Sequence, residues 1–237
     1  MDSARTIITW HDESVNVWTH SIAAVFFASS AVALAIRQTG HFPSTTGPIL
    51  LYQMTVTLCF AFSALYHLFA NHASARLWHQ LDHSGIVLVI WGSSISFISL
   101  SFEFEHQRRC TYTALVTASA VLSLIHLAQG HLQSPRSRIA SHIVLGVWAG
   151  LPAVDFLFRS PFHALPPDFD FFVRSSCFSV LMNSLGGAIC AAGIFTTKSR
   201  TIQNVSHNAM HLFAVGGAWA YQRGLYSVHR ARMGARS

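Results

Sequence analysis

Apolar residues run through this chain in long blocks, separated by short stretches rich in Gly, Pro, Ser and charge. Seven blocks approach the ~20 mostly apolar residues that a helix needs to cross a bilayer. They lie at 15–37, 48–70, 83–102, 111–130, 139–158, 171–196 and 205–223. The breaks include R-Q-T-G-H-F-P-S-T-T-G-P, N-H-A-S-A-R-L-W-H-Q, H-L-Q-S-P-R-S-R and R-S-P-F-H-A-L-P-P-D-F-D. Gly and Pro end helices there, by permitting turns or removing a donor. No period-two alternation and no internal repeat interrupts the pattern. It predicts an all-α membrane protein: one seven-transmembrane helix bundle over 1–237, with a short N-terminal segment 1–14 and a basic C-terminal tail 224–237.

Composition agrees with that reading. The chain has 237 residues, 51% hydrophobic and only 10% charged, with a mean hydropathy of +0.40. A soluble domain carries roughly 25% charged residues, so this surface suits lipid. The net charge of +6 could suggest nucleic acid, but the basic residues form short clusters between apolar blocks and no stripe. Nucleic acid is therefore not an expected partner. Cys59, Cys110, Cys177 and Cys190 form no C-x-x-C pair, which predicts neither a disulfide framework nor a cysteine-ligated metal. The opening M-D-S-A-R-T-I-I-T-W-H-D-E-S lacks the basic start and apolar core of a signal peptide.

Seven spans impose a parity, because odd helices begin on the side where even helices end. Glu13, Asn16 and His20 enter the first span, and Ser63 and His67 stand near the end of the second. Asp82 and His83 open the third, His126 closes the fourth, His142 opens the fifth, and His207 and His211 open the seventh. Polar groups are costly in hydrocarbon, so this gathering at one depth suggests that they satisfy one another or hold an ion. On the same side lie six basic residues, Arg5, Arg76, Arg136, Arg138, Lys198 and Arg200, against nine on the other. The count leans towards a cytoplasmic C-terminus. Four of the nine stand in or beside the tail, and without them it is six against five.

His67, His207 and His211 are the candidate metal ligands. Histidines at i and i+4 reach one ion from a single helix, and three imidazoles with an open position suit zinc chemistry. His67 supplies the third ligand from another helix. Ser63 lies one turn before His67, and Asp82 follows within a short loop, where it can orient a ligand or hold a water. Ordinary roles are expected for the rest. His20, His126 and His142 read as hydrogen-bonding residues at helix ends, and Glu13 and Asn16 as capping and packing groups. Trp10, Trp18, Trp78, Trp91, Trp148 and Trp219 read as interfacial or packing aromatics. The arginines of the tail read as anchors for lipid headgroups.

Three separated motifs carry a family resemblance. D-E-S-V-N-V-W-T-H at 12–20 resembles the N-E-T-x-N-I-W-T-H entry to the first helix in the progestin and adipoQ receptor family. S-A-L-Y-H at 63–67 with L-D-H-S-G-I at 81–86, and S-H-N-A-M-H at 206–211, are similar to that family's later motifs, in the same order. The resemblance implies seven helices and kinship with adiponectin receptors, progestin receptors and haemolysin III-like proteins. It implies zinc held by His67, His207 and His211 near the cytoplasmic face, with Asp82 holding a bridging water and Ser63 nearby. It also implies a cytoplasmic N-terminus, against the charge count. His83 stands where the family has tyrosine, offering a further ligand or a polar contact. Little sequence precedes the first motif, so the longer cytosolic segment of the adiponectin receptors is not expected. The stretch before the last helix also lacks the family's R-x-P-E-like pattern.

Three functions follow as expectations. One is an intramembrane zinc-dependent hydrolase of ceramide-like lipid amides, with Asp82 as base and Ser63 as a donor to the oxyanion. Another is a receptor or homeostasis protein with structural zinc. The third is a terpene (isoprenoid) cyclase or isomerase, with Asp82 or Glu13 as acid and aromatic faces sheltering a carbocation. The expected small-molecule partner is a membrane lipid or isoprenoid.

Overall fold

The computed structural model describes residues 13–37, 43–129, 134–160, 162–196 and 198–234. Trp10, Arg5, Arg236 and nearly all of the expected N-terminal segment 1–14 lie outside the described residues. Among the described residues seven long α-helices follow one another: α1 Ser14–Arg37, α2 Thr46–Leu68, α3 Ala75–Ser101, α4 His106–Ala128, α5 Pro135–Arg159, α6 Pro167–Thr196 and α7 Arg200–Gly234. A 3-10 turn, Phe162–Ala164, leads into α6.

Helices α1 to α6 are long and apolar enough to cross a membrane. Their outer faces are correspondingly apolar, with Ile22, Val25, Val32 and Ile36 of α1 and Ile143, Val144 and Val147 of α5 exposed. α7 does not meet that standard of apolarity, and its burial pattern explains why. It packs closely on α6 and also touches α1 and α2. The side it buries includes Ser206, His211, Tyr221, Gln222, Ser227 and His229. A helix enclosed by protein need not be apolar, because its neighbours satisfy its polar groups. The Tyr52 hydroxyl donates to the Ala218 carbonyl at 2.9 Å, and Tyr221 donates to the Ser93 carbonyl at 2.7 Å. Gln53 and Gln222 each donate a carboxamide N–H to Ser30 at 2.8 Å. Around these bonds pack Phe27, Ile49, Val56, Ile98, Phe172 and Leu225, none more than 1% exposed.

Several helix ends differ from the sequence reading. The third helix begins at Ala75, not near residue 83, and α7 runs to Gly234, not 223. Apolar blocks mark only what lipid can cover, whereas backbone hydrogen bonding carries helices into water. The expected tail is thus mostly helix, and Arg232 is not a lipid anchor. It pairs with Glu103 at 2.7 Å and donates to Ser44 at 3.1 Å. Nearby, Thr45 and His229 hydrogen-bond at 2.7 Å. These contacts, with the ion pairs of Arg108 and Arg159 to Asp155 and Glu105, tie one end of the bundle. At the other end α1, α3, α5 and α7 begin, and α2, α4 and α6 finish. The candidate site lies there.

Candidate metal centre

His207 and His211 lie one turn apart in the first part of α7, their ring centroids 4.6 Å apart. His67 meets them from the last turn of α2. The three Nε2 atoms form a near-regular triangle: 3.2 Å from His67 to His211, 3.3 Å from His67 to His207, and 3.0 Å from His207 to His211. His67 is 4% exposed and His211 1%, so bulk water does not fill the space between them.

Close helix packing brings these residues together. Gly85 in α3 lies so near α2 that an added Cβ would stand 2.8 Å from the Cys59 Cα. That approach places Asp82, one turn earlier, near Ser63 and His67. Gly193 in α6 lets α7 approach in the same way, with Ser206 occupying the space of a missing side chain.

Outer partners hold two of the imidazoles. His67 Nδ1 donates to Glu13 Oε2 at 2.8 Å, and Asn16 Nδ2 donates to the same oxygen at 2.9 Å. An ionised carboxylate only accepts, so the His67 proton sits on Nδ1 and its Nε2 presents a lone pair to the triangle. The His67 bond holds the Glu13 carboxyl down at about 2, against the opposing effect of burial. His207 Nδ1 lies 3.7 Å from the Cys190 thiol. The third histidine, His211, packs its ring against His20 at 4.0 Å between centroids.

The residues fit a zinc ion. Tetrahedral zinc with Zn–N bonds of ~2.0–2.1 Å needs ligand nitrogens about 3.3 Å apart, close to the 3.0–3.3 Å found. Nitrogen lone pairs facing one another at this spacing repel unless a proton or a cation lies among them. Among the described residues this is the one cluster of three such side chains with ligand atoms this close, all within 4.8 Å. A carboxylate behind a ligating histidine is also the usual second layer of a zinc site.

The remaining sequence candidates divide. His83 does not join the triangle; its Nδ1 lies 3.1 Å from His142 Nε2, linking α3 to α5. His126 pairs with Ser137 at 3.0 Å, as a helix-end histidine should. His20 is buried against Phe60 and His211 and takes a packing role. Glu13 needs correction. Its carbonyl accepts the Val17 N–H at 3.0 Å, as a capping residue's does, but its carboxylate serves His67. The capping position was visible in sequence, whereas the reach from α1 to the end of α2 requires the packed bundle. Cys190 and the carboxamides Gln203, Asn204 and Asn208 also escaped the sequence reading. The last three line a cavity of about 200 Å³ bordered by His67 and His207.

Comparison with known proteins fits this architecture. The family described as haemolysin-III related matches residues 8–222. The chain belongs to that family. This haemolysin-III related chain is 27% identical over 169 residues to heptahelical transmembrane protein 1 of Arabidopsis thaliana, covering 66% of the chain and 51% of the relative. It is 24% identical to progestin and adipoQ receptor-like protein 1 of Caenorhabditis elegans, covering 97% of the chain and 54% of the relative. With Hemolysin-3 of Bacillus cereus it shares 24% identity across 87% of each chain. The chain spans about half the length of the first two relatives. Six apolar helices and this family membership make it an integral multi-pass membrane protein.

Proposed function

We propose that the chain is a seven-span, zinc-dependent hydrolase of ceramide-like lipid amides. The observation that carries the reading is the Nε2 triangle of His67, His207 and His211, with Asp82 and Ser63 nearby. These three histidines would hold the ion, with Glu13 fixing the His67 tautomer. Bound zinc supplies Lewis acidity, polarising a carbonyl and lowering the pKa of water towards ~7. The Asp82 carboxylate accepts the proton of the attacking water and returns it to the leaving nitrogen. Ser63 orients Asp82, and its hydroxyl can turn to an oxyanion as charge develops. Enclosure among α2, α3 and α7 strengthens each of these interactions by excluding water.

The N-terminus would lie on the cytoplasmic side, with the site near that membrane face, as the motif resemblance implies. A second reading is a receptor with structural zinc, supported by the C. elegans relative, whose name describes a receptor-like protein. Metal content and turnover separate the two. Purified protein should carry one zinc, lost in both His67→Ala and His207→Ala, and should release fatty acid from a short-chain ceramide. Asp82→Asn should keep the zinc and lose turnover. Zinc without turnover of any lipid amide would favour the receptor, and wild-type protein without metal would defeat both readings.

A further inference from the structure

The cavity beside the histidines has a composition that the hydrolytic machinery does not explain. It lies at the end of the bundle, between the starts of α1 and α7 and the ends of α2 and α6. Four of its ten lining residues are carboxamides, Asn16, Gln203, Asn204 and Asn208, and Glu13 adds a carboxylate. Among the described residues no Lys or Arg lines it. A neighbouring groove of about 110 Å³ between α1 and α2 differs sharply, being lined by Val17, Trp18, Ser21, Ala64, Leu65 and Leu68.

We propose that the carboxamide-lined cavity is the subsite for the polar head of the substrate's amine half, selecting hydroxylated, unphosphorylated headgroups. This rests on the lipid-amide reading above. Hydrolysis breaks the C–N bond, forms a C–O bond to the oxygen of water, and leaves a carboxylic acid and an amine. The acid's chain is apolar and belongs among lipid tails. The amine half of such a lipid carries its own long chain, which also belongs among lipid tails, but its head, the nitrogen with the hydroxyls beside it, is small and polar; this cavity is polar, abuts His67 and His207, and lies at the bundle's end. Carboxamides donate and accept, which matches hydroxyls and amines. The two carboxylates Glu13 and Asp82 match the charge of a zinc ion at the histidines, so no net positive charge is left for a phosphate. With no Lys or Arg among the described lining residues to pair it, a phosphorylated headgroup would be bound at a disadvantage.

The test uses the zinc-loaded full chain in lipid nanodiscs. N-hexanoyl-sphingosine and its 1-phosphate are compared as competitors of a fluorescent short-chain ceramide. The phosphate should bind at least about tenfold more weakly, since its charge leaves water with no Lys or Arg to pair it. Asn204→Arg should narrow that ratio about fivefold or more by supplying the missing cation, with zinc content unchanged. Gln203→Arg serves as the second variant should Asn204→Arg lose its zinc. Equal binding of the two lipids, or an unchanged ratio in a zinc-loaded Arg variant, would overturn the subsite. If both lipids are also hydrolysed, the hydrolase reading survives that result. If neither lipid is bound or hydrolysed, the lipid-amide reading fails and takes the subsite with it.

Discussion

Replacing Glu13 by Gln removes one negative charge while keeping nearly the same shape. The Gln carbonyl can still accept the His67 Nδ1–H that Glu13 Oε2 now accepts at 2.8 Å, so the tautomer is retained. What disappears is the charge assistance that makes His67 a more basic ligand. Loss of such an outer partner typically costs 10–100-fold in metal affinity, or about 1.4–2.7 kcal/mol. Glu13 is 36% exposed, and water screens part of its charge, so the lower end applies. We therefore expect about a tenfold loss of zinc affinity in Glu13→Gln. Glu13→Leu should lose more, because it strands a buried His67 N–H as well.

Competition of the purified protein against a chelator of known zinc affinity, at neutral pH, measures both changes directly. An affinity for Glu13→Gln within twofold of wild type would refute the argument that Glu13 tunes His67. A loss in Glu13→Gln as large as in Glu13→Leu would show that shape or folding, and not charge, was disturbed.

Three further outcomes follow from the same coordinates. Glu13 titrates at about 2 in the fold against an ordinary 4.5, so its contribution to stability is complete above pH 4.5 and lost as pH falls towards 2. The unfolding temperature of metal-free protein should fall more steeply over that window in wild type than in Glu13→Gln, and parallel curves would count against the pair. Gly85→Ala must push α3 from the Cys59 backbone, 2.8 Å from the new Cβ, and should cost about 1–3 kcal/mol. Thermal unfolding in detergent should drop by several degrees with partial loss of zinc, and an unchanged midpoint would mean that the helices sit further apart. Arg232→Ala breaks the Glu103 pair at the far end of the bundle, where both partners are partly exposed. It should cost no more than about 1 kcal/mol and leave zinc content intact, so zinc loss there would show that the two ends are coupled.

How much of this was legible in the sequence depended on what each residue needed from its neighbours. Helical spacing alone put His207 and His211 on one face, and counting spans put His67 at their depth. Both are properties of the local chain. All seven helices were legible as apolar blocks, the first six most plainly because lipid demands apolarity wherever it touches them. Glu13 was not, because nothing in D-E-S-V-N says that the carboxylate crosses to α2. Nor was the separation of His83 from the triangle. It neighbours Asp82 in sequence, but successive helical residues diverge by about 100°, which turns His83 towards α5 and His142 while Asp82 meets Ser63.

α7 shows the limit most clearly, because one physical cause both lowers its apolarity and makes the site. Apolarity marks a span only when lipid surrounds it. α7 instead lies against α6, α1 and α2, and is free to carry Gln203, Asn204, His207, Asn208 and His211. The residues that lower its hydropathy thus include the two histidines of the metal triangle and three of the carboxamides of the adjoining cavity. A chain made more apolar along 203–211 would look more like a membrane span and would lose its candidate chemistry. The polarity is sustained because the surrounding helices supply what lipid cannot, as Tyr52 does in bonding the Ala218 carbonyl deeper along the same helix.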